Sequence, residues 1–160
     1  MSESETWALE HARFGTIEAP ASATFRCQGL PGFPEARRLL VVEDPRTRDF
    51  AWLVCFEIPE LALVVTDPAR HYPDYVPRPH HSDLRAIEAA EGDEVDVLVV
   101  ANVTETGATL NLAAPLLINP KSRLLIQAIL ADGAHPMRAP LSGSSTSGGG
   151  AAQIESNPQR

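Results

Sequence analysis

Side chains that can hold a metal crowd into one stretch of this chain. His71, Asp74, His80 and His81 follow one another between two apolar runs. Imidazole and carboxylate would suit a zinc-like cation. Their spacing works against it. None forms the one-face pair of an HExxH helix, and Pro73, Pro77 and Pro79 hold the segment extended. In an extended segment the adjacent His80 and His81 point to opposite sides. Nucleophilic chemistry fares no better. Cys27 and Cys55 lie in apolar runs, form no CxxC pair and have no base beside them, so both read as small core hydrophobes. There is no GxSxG. The acids Glu43/Asp44 and Glu91/Asp93/Glu94 flank turns, where carboxylates are solvated. Gly29 and Gly32 are separated by Pro31 and followed by neither helix nor lysine, so they cradle no phosphate. No catalytic residue, metal or cofactor is assigned.

What composition allows is a binding protein. The 160 residues are 44% hydrophobic, enough for one core, and carry a net charge of −8. Such a charge repels phosphate and favours basic partners. The basic pairs Arg37/Arg38 and Arg46/Arg48 lack interleaved stacking aromatics, so direct nucleic-acid binding is not expected. No apolar run approaches the about 18 residues of a membrane span. The polar, acidic start MSESETWALEHARF is no signal peptide, so a cytoplasmic protein is expected.

The 14 prolines argue for strands joined by turns rather than for long helices. Residues 1–10 read as a flexible lead-in, and the Ser/Gly-rich residues 142–160 as a disordered tail. Between them, strands are expected over Phe14–Glu18, Thr24–Cys27, Arg38–Glu43, Phe50–Ile58, Leu61–Thr66, Val95–Val103, Thr109–Asn119 (broken at Pro115) and Arg123–Leu130. Pro59-Glu60 is too short for a crossover, so the strands flanking it form a hairpin. Gly29–Pro34 reads as a fixed turn whose Leu30 and Phe33 plug one end of the core. One helix is expected over Ser82–Glu91, capped by Ser82 and stopped at Gly92. About eight strands and one short helix make a mainly β fold, a small antiparallel barrel-like domain. In it, Asp67-Pro68 ends a buried strand, and the loop after it carries His71, Tyr72, Asp74 and Tyr75. That loop reads as a recognition lip; the alternative is a small-ligand or enzymatic barrel with a pocket beside it.

An ordered series of motifs carries a resemblance. Gly29-Leu30-Pro31-Gly32-Phe33 comes first, then a strand with Leu53. Glu60 to Pro68 (ELALVVTDP), Tyr72-Pro73-Asp74-Tyr75, Asn111 to Asn119 (NLAAPLLIN) and Gln127-Ala128-Ile129-Leu130 follow. In this order and spacing the chain resembles the FliW family of flagellar assembly factors over roughly residues 13–141. The chain departs from the pattern at Leu53-Val54-Cys55, at Leu124-Leu125 and in its tail. The resemblance implies a barrel-like cytoplasmic protein without catalytic site or cofactor. It implies two protein partners: flagellin, bound before export, and the translational repressor CsrA. Secreted flagellin would free the protein to restrain CsrA away from its RNA-contacting surface, so that flagellin mRNA is translated. The residues expected to meet partners are Glu43, Asp67, Tyr72, Asp74, Tyr75 and Asn111, with Asp44, Glu57 and Glu60 as further acidic candidates.

Overall fold

The computed structural model describes residues 5–131 and 133–141. They form eleven strands and one α-helix: β1 (Thr6–His11), β2 (Gly15–Pro20), β3 (Phe25–Arg26), β4 (Arg38–Glu43), β5 (Ala51–Cys55), β6 (Ile58–Thr66), α1 (His81–Ala86), β7 (Asp96–Thr104), β8 (Gly107–Leu110), β9 (Leu116–Asn119), β10 (Leu124–Gln127) and β11 (Ala139–Leu141). Neighbouring strands run β7-β6-β5-β4-β3-β10-β9, and β9 returns to β7. The sheet is therefore a closed ring, which leaves no free edge within it. All its pairings are antiparallel except β3–β10, a parallel contact of Arg26 with Leu124.

Three expectations about the strands change. Thr6–His11 is a strand and not a lead-in: it pairs with β2 from Thr6↔Pro20 to His11↔Gly15. The stretch 109–119 is two strands. β8 and β9 pair with different halves of the long β7, and the chain turns between them at Leu112–Ala114. The hairpin of β5 and β6 turns at Phe56-Glu57, two positions before Pro59, with a bulge between Val54 and Cys55. There Glu57 accepts the backbone N–H groups of Arg37 and Arg38 at 2.9 and 3.0 Å, tying the turn to the start of β4. The tail 142–160 lies outside the described residues.

The ring interior holds Leu39, Leu53, Leu61, Val65, Leu116, Ile118 and Leu125, with Cys27 and Cys55 among them. Burial pushes the Cys55 thiol up to about 11 and raises that of Cys27, so both are inert core thiols. Leu30 and Phe33 pair across their turn and pack on this core. Three further clusters cover the ring from outside. The β1–β2 hairpin brings Leu9, Phe14 and Ile17 against Leu40, Trp52 and Val54. Helix α1 and the residue after it bring Leu84 and Ile87 against Val97, Leu117 and Ile126. The loop after β6 and strand β11 enclose Tyr72, Val99, Leu110 and Ala139. Strands covered on both sides explain why their sequences are apolar almost without alternation.

Helix α1 is shorter than expected. Glu88 takes a left-handed φ of 60°, and the N–H of Ala89 returns to the carbonyl of Leu84 at 2.9 Å. The buried Asn119 side chain donates to the carbonyls of Ile87 (2.8 Å) and Glu88 (3.2 Å), which the shortened helix leaves open. At the other end His80, not Ser82, is the N-cap, and its N–H donates to Asp83 at 3.2 Å.

Candidate functional site

The tyrosine loop is mostly a clasp. Asp67 caps the 3₁₀ turn Pro68–Arg70 by accepting from the N–H of Ala69 at 2.9 Å. Tyr72 is only 6% exposed, and its hydroxyl donates to the carbonyl of Pro140 in β11. Tyr72 thus packs the loop onto the outer cluster with Val99, Leu110 and Ala139. Tyr75 is half-buried; its hydroxyl donates to the carbonyl of Leu112 at 2.8 Å, and its ring meets His135 edge-on at 4.8 Å. Of the loop, Pro73 and Asp74 are exposed.

The remaining candidates scatter. Glu43 ends β4, exposed. Asn111 is half-buried, and its side chain accepts from the N–H of Ala113 at 3.2 Å, holding the turn between β8 and β9. Asp67 and Tyr75 alone come together, on a groove of about 530 Å³ where β6 ends and β7 begins. Its walls are Phe25, Val41, Pro77, Val97, Leu98 and Ile118, with carboxylates at Asp67 and Asp96. Neither His71, Tyr72 nor Asp74 lines this groove, so it does not gather those three polar groups. Neither Asp96 nor Pro77 is among the site residues expected from sequence. Asp96 interrupts an apolar run between Val95 and Val97, a signal of exposure at a strand start.

His71 sits beside the groove in a different role. It is half-buried, stacked on Phe50 at 5.8 Å, and its Nε2 lies 3.1 Å from the hydroxyl of Thr66. Thr66 spends its single proton on the carbonyl of Asp49, so Nε2 carries a proton and donates. Burial holds His71 below the ordinary histidine range. Among the described residues no group of three or more His, Cys, Asp or Glu side chains could hold a metal ion. None of their helices is long and apolar enough to cross a membrane.

Comparison with known proteins places the chain in a family. The FliW protein family model matches residues 8–141. The chain belongs to the FliW family. A flagellar assembly factor FliW of Symbiobacterium thermophilum is 36% identical over 116 residues, 71% of this chain and 84% of that one. Another, of Syntrophotalea carbinolica, is 31% identical over 131 residues, 81% of this chain and 94% of that one. A crystal structure of the flagellar assembly factor FliW superposes with a TM-score of 0.76 at 25% identity, covering 84% of this chain and 96% of that chain. These FliW proteins are named as assembly factors, not as enzymes. Leu53, Val54 and Cys55, where the sequence reading expects a departure from the FliW pattern, are all buried.

Proposed function

We propose that this protein is a non-enzymatic, cytoplasmic flagellar assembly factor that binds flagellin and a CsrA-type translational repressor, and that it antagonises the repressor so that flagellin mRNA is translated. Family membership supports the assembly role. The observation that carries the binding role is the groove between the end of β6 and the start of β7: an apolar floor with Asp67 and Asp96 at its sides, on a chain of net charge −8. An amphipathic segment with apolar anchors and flanking Lys or Arg fits such a surface. A repressor that holds RNA must itself be basic. Glu43 and Asp74 remain proposed as exposed acids that extend the attraction beyond the groove.

The test is calorimetric titration of the purified chain with flagellin and with CsrA. Asp96→Lys combined with Asp67→Asn, which keeps a capping oxygen, is expected to weaken at least one partner about tenfold or more, equivalent to about 1.4 kcal/mol. The thermal midpoint should hold. Binding of neither partner by the native chain would overturn the reading. Full binding by the variant would move the site elsewhere.

A further inference from the structure

The net charge of −8 conceals a face of the opposite sign. Arg26, Arg37, Arg38 and Arg123 line two grooves, of about 470 and 320 Å³, which adjoin because Arg26 and Arg38 belong to both. The described ion pairs are Arg46–Asp44, Arg70–Asp49 and Lys121–Asp93. Among the described residues, then, none of these four guanidiniums reaches a carboxylate within bridging distance. Two acids share the grooves. Glu57, in the first, already accepts two backbone N–H groups, and Glu5 lines the second.

The guanidiniums are held by other means. Arg38 stacks over the Trp7 ring at 4.2 Å and donates to the hydroxyl of Thr24 at 2.6 Å. Arg123 stacks over Phe25 at 4.0 Å and donates to the carbonyl of Thr24 at 3.3 Å. Arg37 donates to the carbonyls of Pro34 and Ala36 at 2.8 and 2.9 Å. Arg26 is exposed, with one long bond of 3.4 Å to the carbonyl of Ser122. Each guanidinium has five N–H donors, so stacking on one face leaves donor edges free. At the same place the indole N–H of Trp7 is buried without an acceptor. Like charges gathered with spare donors, on a protein with an excess of acids, have little structural reason to be there.

We propose that this face is a docking site for an acidic segment of a partner protein, whose carboxylates lie across Arg26 and Arg37 in the first groove and reach Arg38 and Arg123 in the second. The planar forks match carboxylates two bonds at a time. A nucleic acid fits less well: its phosphates would run past the two short grooves along a chain of net charge −8. This site is separate from the groove after β6 and does not depend on the partners proposed there.

The probe is an acetylated hexaglutamate amide, titrated into the full chain at low salt and followed by calorimetry and tryptophan fluorescence. Saturable binding that weakens with salt is expected, with a change in Trp7 emission. Arg26→Gln with Arg37→Gln should weaken it about tenfold or more, while Arg46→Gln with Arg70→Gln should leave it nearly intact. If the first pair perturbs folding, Arg26→Gln alone, at an exposed side chain, should weaken it several-fold. Absence of binding, or equal loss in both pairs of variants, would overturn the proposal. Tighter binding of a single-stranded oligonucleotide of matched charge would overturn it in favour of nucleic acid.

Discussion

At His71 a proton has a stability consequence with a definite sign. The unfolded chain takes up a proton on this residue near the ordinary histidine value of about 6.5. The folded chain resists, because the ring is half-buried against Phe50. Below that value the unfolded state binds more protons, so this contribution to stability is full above about pH 6.5 and lost as pH falls through the depressed folded value. Thermal midpoints of the native chain should drop more from pH 7.5 to 5 than those of His71→Gln; parallel curves would show that His71 carries no such linkage. Asn119 makes a second case. Its amide donates to Ile87 and Glu88 while its oxygen accepts from the N–H of Lys121 at 2.9 Å. Asn119→Asp turns the donor end into an acceptor facing two carbonyls. A loss of about 1–3 kcal/mol or more in denaturant unfolding is expected, larger than for Asn119→Ser. Residues of this kind were poorly legible in the sequence. The two tyrosines and the acid of the loop invite a contact reading, yet only the fold shows that Tyr72 and Tyr75 spend their hydroxyls on Pro140 and Leu112.

Elements were more legible than residues, for a physical reason. β4 is legible to its ends, since Leu39 to Val42 is a short apolar run between Arg38 and the Asp44-Pro45 turn. β1 was missed although Trp7, Leu9 and His11 alternate with Thr6, Ala8 and Glu10, because the polar half of that pattern dominates its composition. His11 fixes this hairpin. It is buried, accepts from the N–H of Arg13 at its Nδ1, and so donates from Nε2 to the carbonyl of Leu61 in β6. The split of 109–119 into β8 and β9 follows from their pairing with opposite halves of β7, which no local pattern states. The turn 29–34 was legible because glycine has a mechanical reason there. Gly29 has φ 103°, and a Cβ on it would sit 3.0 Å from the carbonyl oxygen of Pro34. Gly29→Ala should cost about 1–3 kcal/mol by thermal or denaturant unfolding, more than Gly32→Ala, where a Cβ would meet nothing within 4 Å.

Over the whole molecule, the barrel expectation holds because the strands close on one another, and they close at a narrow place. β3 and β10 share one parallel step, Arg26 with Leu124, reinforced by the bond of Arg123 to Thr24 across 99 positions of chain. A chain ending before Leu124 should lack the cooperative unfolding transition and near-ultraviolet signal of the full protein; a native-like transition in that fragment would show that closure is dispensable. The same seam sets a schedule. While the protein is being synthesised, everything through β9 can exist with β3 still waiting for its second neighbour. Joining strands so distant in sequence carries a large loop-closure cost and belongs among the slow folding events, on the order of milliseconds to seconds. The barrel is thus completed by nearly the last part of the described chain to leave the ribosome, and until then the lining of its interior is open to other chains.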